Sequence, residues 1–441
     1  MKRKPYPAYK PSGVEWLGAV PKHWEVKRAR FKVLLNPSKQ EIGSLPKDME
    51  VSFLPMESVG EDGGLNLEQS RPIEEVETGY TYFSNGDVTY AKITPCFENR
   101  KGAIMTGLQN GFGFGSTELT VLRPRGGVSK EYLYYITLSN EFRKSGEAWM
   151  YGAGGQKRVP DNFVREFSFV WPPFPEQQAI ASFLDRETGK IDTLINKNQR
   201  LIELLKEKRT ALISRAVTKG LGPTVKMKPS GVEWLGDVPE HWEVTRLKNA
   251  FHVYNGSTPE SSKEEFWDGD ITWYTPEDLG NNARKNILDS RRKITQSGYA
   301  NIGATIVPKS SIIISTRAPI GHIAITDVPA CTNQGCRSLV PKKNVWSDFH
   351  YYYLLTSKNN LNAIGKGTTF IELGNQGLEG YLVPLPPLPE QQAIADFLDK
   401  ETGKIDALIA KVEKAIEKLK EYRTALISAA VTGKIDVREA A

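Results

Sequence analysis

Basic, amide and hydroxyl side chains gather in short glycine-bearing clusters at several places in this 441-residue chain. In the first half these are Lys92-Ile93-Thr94-Pro95, Asn99-Arg100-Lys101-Gly102, Gly115-Ser116-Thr117-Glu118 and Gly154-Gly155-Gln156-Lys157-Arg158. In the second half they are Asn255-Gly256-Ser257-Thr258, Ser315-Thr316-Arg317, Thr332-Asn333-Gln334-Gly335 and Gly365-Lys366-Gly367-Thr368-Thr369. Glycine lets backbone N–H groups approach a phosphate, and Ser, Thr and Lys bond phosphates. Arg, Asn and Gln can make paired bonds to base edges. Polar, glycine-rich loops are common on any surface, so no single cluster carries the argument. The weight lies in two comparable sets within one chain.

Catalytic constellations are not found. Trp171-Pro172-Pro173-Phe174 resembles the Pro-Pro-aromatic core of amino-methyltransferases, but that chemistry needs Asn, Asp or Ser before the prolines, and here the residue is Trp171. The second copy, Leu385-Pro386-Pro387-Leu388, also lacks the aromatic. Both are expected to be rigid turns at a helix entry. Gly111-Phe112-Gly113-Phe114-Gly115 lacks the strand-then-helix context of a dinucleotide loop, and no Ser or Thr directly follows Lys366 as a P-loop requires. His23, His241, His252, His322 and His350 show no metal-ligand spacing, and scattered Asp and Glu do not form a nuclease cluster.

Charge and composition set wide bounds. A net charge of +6 permits nucleic-acid binding without requiring it. No apolar run is long enough to span a membrane, and no apolar core follows the basic start Met1-Lys2-Arg3-Lys4-Pro5. Cys96, Cys331 and Cys336 are too few and too unevenly placed for a disulfide framework. They are expected to be thiols in a reducing compartment, the latter two buried.

The chain is written twice. PSGVEWLGAVPKHWEV at 11–26 returns as PSGVEWLGDVPEHWEV at 229–244, differing only at Ala19/Asp237 and Lys22/Glu240. PPFPEQQAIASFLDRETGKIDTLI from 172 returns as PPLPEQQAIADFLDKETGKIDALI from 386, and both blocks run on to RTALIS. Two regions with little mutual similarity lie between these blocks. A closely repeated frame around two diverged inserts suggests one scaffold presenting two different surfaces. In the short motif Trp16, Leu17, Val20, Pro21 and Trp24 are expected to pack as a wedge.

The repeated blocks are helical. Ile191, Leu194, Ile202, Leu205 and Leu212, and in the second copy Ile405, Leu408, Ile416, Leu419 and Leu426, fall at steps of three, four and seven and predict a coiled-coil seam. Pro175 and Pro389 suit a first helical turn. Gly189 and Gly403 predict a kink dividing a short helix from a long one that ends near Val217 in the first copy. A long helix of about 28 residues would span about 42 Å, more than one turn of B-DNA at about 34 Å. Antiparallel pairing would relate the halves by a pseudo-two-fold axis. Asn198, where the repeat has Val412, could fix the register.

The diverged regions predict mixed α/β globules. Segments 87–93, 103–105, 119–124, 271–274, 311–316 and 322–326 read as strands, and 130–139 and 347–357 as helices. The fold class expected is α+β, with two mixed α/β domains joined by two long helices in an antiparallel coiled coil, a pseudo-two-fold tandem repeat. The divisions are a tail and repeated Trp motif (1–26), a first diverged region (27–171), a helical block (172–220), a linker with the second motif (221–244), a second diverged region (245–385) and a second helical block (386–436).

Taken together, PSGVEWLG, AKITPCFENRKGA, FGSTELTVLRP, GGQKRVP, ISTRAPIGHIAI, TNQGCRSL and PLPPLPEQQAIADFLD resemble Type I restriction-modification specificity subunits, over nearly the whole chain and in the same duplicated order. The resemblance implies that each diverged region is a target recognition domain reading one half of a split, asymmetric DNA site. It implies that the helices set the spacer and dock two modification subunits. Those subunits carry S-adenosylmethionine and methylate adenine, and restriction subunits with ATP-driven translocase and nuclease activity join them. This chain would then be non-catalytic, binding no cofactor or metal, in a prokaryotic cytoplasm; ATP and Mg belong to the partners.

Base contacts differ between family members, so only the motif loops transfer. The DNA-contact candidates are Lys92, Thr94, Arg100, Lys101, Ser116, Thr117, Gln156, Lys157 and Arg158 in the first domain. In the second they are Ser257, Thr258, Arg317, Asn333, Gln334, Arg337, Lys366 and Thr368. Thr117 and Asn333 are the candidates most suited to capping their own backbone. Three rival readings are a fused methyltransferase or nuclease, a protein-binding scaffold and a stand-alone DNA-binding regulator.

Overall fold

Two proline-led blocks become helices of unbroken length. In the computed structural model, which describes residues 4–61, 63–153, 155–365 and 372–438, the first long helix covers Phe174–Lys219 and the second Leu388–Val431. Pro175 and Pro389 sit in their first turns, where a missing N–H costs nothing. The expected division at Gly189 and Gly403 does not occur, and both glycines are helical. The side chains around them supply the reason. Thr188 is buried, bonds back to the Leu184 carbonyl at 2.7 Å and meets the Tyr135 hydroxyl at 3.3 Å. Tyr135 also donates to Asp185 at 2.6 Å. Thr402, Leu398, Tyr352 and Asp399 repeat the arrangement in the second copy. This packing outweighs the roughly 1 kcal/mol that an interior glycine costs.

The seam follows a heptad rhythm. Ile191, Ile195, Asn198, Ile202, Leu205, Arg209 and Leu212 recur at alternating steps of four and three and are buried or half-buried, as are Ile405, Ile409, Val412, Ile416, Leu419, Arg423 and Leu426. Leu194 and Leu408 depart from the expected seam, at 49% and 43% exposed. Each precedes a seam isoleucine by one residue, which places it about 100° around the helix from the seam. Two ion pairs fix the direction of pairing: Arg423 with Asp192 at 3.1 Å, and Arg209 with Asp406 at 2.9 Å. Residue numbers rise along one helix as they fall along the other, so the helices are antiparallel. The two pairs are repeat counterparts.

The chain divides into two compact units, 1–199 with 413–441 and 200–412, so each unit takes part of both helices. In the first unit two four-stranded sheets form the domain. One pairs Val33–Leu35, Leu119–Pro124, Val88–Ala91 and Gly102–Ile104 in that order. The other sets Glu50–Leu54 parallel to Phe112–Gly115, with Ser70–Pro72 and Thr81–Ser84 outside. In the second unit a five-stranded sheet contains Phe251–Asn255, Cys336–Pro341, Ile312–Ser315, Ile323–Thr326 and Asn286–Ile287. A three-stranded sheet around Trp267–Tyr274 completes it. Helices Lys130–Leu138 and Ser347–Thr356 lie where the sequence predicts them. Buried apolar side chains from both second-unit helix segments, its sheet and its Trp motif form one cluster, including Ile213, Trp242, Ile312, Phe349 and Ile394.

Repeated framework residues do repeated structural work. Gln177 is buried; its amide oxygen accepts from Ser129 N at 2.9 Å and its Nε2 donates to the Gly127 and Pro172 carbonyls. Gln391 does the same with Trp346 N and the Asn344 and Pro386 carbonyls. Glu176 accepts from the Trp24 indole at 3.1 Å and pairs with His23 at 2.7 Å, and Glu390 pairs with His241 at 2.7 Å. Trp24 and Trp242 are fully buried, whereas Trp16 and Trp234 stay near half exposed and stack on Phe167 and Tyr381. Only part of the wedge is therefore core.

Candidate nucleic-acid interface

In the first unit, three chain segments converge beyond the end of strand Val88–Ala91. Lys92 N donates to the Glu118 carbonyl at 2.8 Å, and Val159 N donates to the Lys92 carbonyl at 2.8 Å. Ile93 bridges Arg158, and Thr94 bonds the Lys157 carbonyl through both its amide (3.0 Å) and its hydroxyl (3.1 Å). The Arg158 guanidinium grips both oxygens of Glu118 at 2.7–3.0 Å, which raises its pKa. Ser116 caps its own loop by accepting from Glu118 N at 3.2 Å. Thr117, Gln156 and Lys157 are exposed around this junction, and Lys92 is half-buried at its base.

Two first-unit candidates lie apart from that group. Lys101 Nζ donates to the Met56 carbonyl at 2.8 Å, a tie within its own domain. Arg100, at positive φ, donates to the Thr424 hydroxyl on the second long helix at 2.6 Å. Burial, then the neighbouring Arg423, lowers its pKa.

The second unit builds the same junction from other residues. Thr316 N donates to the Gly335 carbonyl at 2.8 Å, and Leu373 N donates to the Thr316 carbonyl at 2.8 Å. Arg317 bridges Glu372, as Ile93 bridges Arg158. In both units an X-Pro cis bond follows the bridging residue, at Thr94-Pro95 and Ala318-Pro319. The Arg317 guanidinium lies 3.3 Å from Glu372 and is 48% exposed. The Thr258 hydroxyl donates to the Gln334 side chain, Ser257 N donates to the Thr332 carbonyl at 2.9 Å, and Asn333 accepts from Gly335 N at 3.0 Å in a local turn. An open cleft of about 640 Å³ beside this junction is lined by Pro319, His322, Arg291 and Asn333.

Arg337 is placed differently. It is 9% exposed and donates to Asn375 Oδ1 and to the Gln334 and Cys336 carbonyls at 2.7–2.9 Å. Burial lowers its pKa. Its bonds brace the junction from beneath. Lys366 and Thr368 lie outside the described residues. Gly256 approaches a backbone of its own chain: a Cβ there would sit 1.9 Å from the Asn333 carbonyl oxygen.

The sequence reading missed four residues here. Glu118 and Glu372 belong to the junctions, but a carboxylate in a polar loop carries no local signal of its partner. Tyr151 is 65% exposed and its backbone pairs with Arg158, with Trp149 exposed two residues before it. An aromatic pair beside a glycine-rich loop, Trp149 to Gly152, is the signal that could have found them. Among the described residues no group of His, Cys, Asp and Glu could hold a metal ion, and no helix is long and apolar enough to cross a membrane. Cys331 and Cys336 are buried thiols, both pushed up by burial, Cys331 to about 12; Cys96 is only half-buried.

Comparison with known proteins adds the family. The model of the Type I restriction modification DNA specificity domain matches twice, at residues 65–204 and 239–418. The MjaIX specificity subunit of a Type I restriction enzyme from Methanocaldococcus jannaschii is 39% identical over 166 residues, covering 37% of this chain and 38% of that protein. The EcoAI specificity subunit from Escherichia coli is 38% identical over 214 residues, covering 46% and 35%. The chain thus matches little more than a third of the length of those two relatives. The putative MjaX specificity subunit, also from M. jannaschii, is 27% identical and covers 91% of this chain and 97% of that protein. A solved chain described under complex assembly and conformational transition of the type I R-M system shares the fold at TM-score 0.77 and 17% identity, covering 94% of this chain and 99% of that one. The HsdS subunit from Thermoanaerobacter tengcongensis does so at TM-score 0.58 and 18% identity, covering 94% and 98%. With two family-model matches that together take in well over half of its length, this chain belongs to the Type I restriction-modification DNA specificity family.

Proposed function

We propose that the chain reads a split, asymmetric DNA site, one half with each recognition domain, and contributes no catalysis. The observation that carries this reading is the junction built twice on one backbone plan from different side chains. A shared scaffold under diverged loops is what recognition of two unlike half-sites requires, because phosphate contacts position a protein and base-edge contacts specify sequence. Lys92, Thr94, Ser116, Thr117, Gln156, Lys157 and Arg158 serve one half. Ser257, Thr258, Arg317, Asn333 and Gln334 serve the other, with Lys366 and Thr368 as further candidates. Arg100, Lys101 and Arg337 act in support.

The partners in this reading are double-stranded DNA, two modification subunits that bind S-adenosylmethionine and methylate adenine, and restriction subunits that use ATP and Mg. The paired helices hold the spacer between half-sites. Replacing residues 245–385 with the corresponding region of another family member, in complex with the modification subunits, should change one half of the bound sequence and leave the other half and the spacer intact. A change in both halves, or in neither, contradicts the proposal.

A further inference from the structure

A carboxylate is an unexpected occupant of a surface that is to meet a polyanion, yet each junction has one. In the first unit Glu118 holds Arg158, and in the second Glu372 holds Arg317. The backbone bonds make Arg158 the counterpart of Glu372 and Ile93 the counterpart of Arg317. The segment that supplies the arginine in the first unit therefore supplies the glutamate in the second, and its partner comes from a different segment in each: Glu118 lies where the second unit has Gly335, and Arg317 where the first has Ile93. Two diverged domains thus hold the same type of pair at the same place through different positions.

Tying the loops together does not explain the pairs. The same segments are already joined by backbone bonds at 2.8 Å in both units, and exposed ion pairs add little to stability. Nor do the pairs hide the arginines, which keep 39% and 48% of their side chains open to solvent. The consequence that remains is electrostatic. An arginine held by a carboxylate presents little net charge to a phosphate, and releasing it means giving up two well-placed bonds in the first unit. A guanine edge offers a comparable pair of acceptors, O6 and N7, in fixed geometry, whereas a phosphate contact is available on every sequence.

We propose that Glu118 and Glu372 are specificity-setting positioning residues, each keeping Arg158 or Arg317 from DNA phosphates until a base edge with paired acceptors takes it over. This rests on the DNA-reading function proposed above.

The test uses the full chain in complex with its modification subunits and duplexes carrying both half-sites, either half-site scrambled, or both scrambled, across a salt series. Glu118→Gln should tighten binding to fully scrambled DNA, steepen the salt dependence by about one unit, and reduce discrimination at one half-site by about tenfold. Glu372→Gln should do the same at the other half-site only. In an Arg158→Met background Glu118→Gln should no longer steepen the slope, because the glutamate acts through the arginine. Unchanged slope and discrimination in Glu118→Gln would overturn the inference, as would a steepening that persists without Arg158. If the wild-type complex discriminates at neither half-site, the DNA-reading function itself is wrong, and that outcome is distinct from the others.

Discussion

Lys157 and Arg337 show how far side-chain type can take a reading of recognition residues. Both sit in polar clusters of the right chemistry. Lys157 is exposed at its junction, whereas Arg337 is buried on three acceptors. Lys157→Ala should weaken binding to all sequences about equally and flatten the salt slope by about 0.9 unit. A loss confined to one sequence would show that Lys157 reads a base. Arg337→Ala should instead destabilise the second unit by about 2 kcal/mol, since charged hydrogen bonds are lost and the acceptor on buried Cys336 is left without its donor. An unchanged melting temperature would contradict that. The loops themselves were legible because Gly, Asn, Lys and Arg punctuate them. The roles of Arg158, Arg317 and Arg337 were not, because their partners Glu118, Glu372 and Asn375 lie 35 or more positions away in the chain.

At the scale of elements, the helices were legible from their three- and four-residue steps and their leading prolines, and the register was not. Leu194 is as apolar as Ile195, and only the steps continued through Asn198 and Arg209 show which of them keeps the seam. The expected kink failed for a related reason: a glycine's helical cost is local, while Tyr135 holds that turn from outside through Thr188 and Asp185. A Cβ on Gly189 or Gly403 would meet no atom within 4 Å. Gly189→Ala and Gly403→Ala should each raise stability by about 1 kcal/mol, read as a higher melting temperature. A fall would restore the kink. Helix Ser347–Thr356 carries a pH dependence as well. Burial holds the His350 imidazole at about 4, below the ordinary value of about 6.5. The unfolded chain takes up that proton as pH falls through about 6.5, while the folded chain does so only near 4. Its contribution is therefore intact above pH 6.5 and declines toward pH 4 by about 3 kcal/mol. His350→Phe should lose less stability than wild type over that interval, and parallel curves would contradict the assignment.

At the scale of the molecule, the tandem repeat made the two-domain, two-helix plan legible in the residue order alone. What the repeat could not show is that the chain's two ends meet in one unit. Tyr9 donates to the Gly433 carbonyl at 3.0 Å, Asp436 N donates to the Lys4 carbonyl at 2.9 Å, and Lys434 Nζ bonds the Leu17 and Ala19 carbonyls. In the second unit the corresponding lysine, Lys219, bonds the Asp237 carbonyl. The repeat places this lysine differently in the two copies, Lys219-Gly220 and Gly433-Lys434, which conceals the shared role. The central claim is that one chain with two diverged surfaces on a common frame directs methylation to a split site. A genome-wide map of methylated adenine, in cells carrying the modification partner with and without this chain, tests it most directly. The account predicts a split asymmetric motif that appears only when the chain is present. No new motif, with the partner shown to be active alongside another specificity subunit, would contradict it.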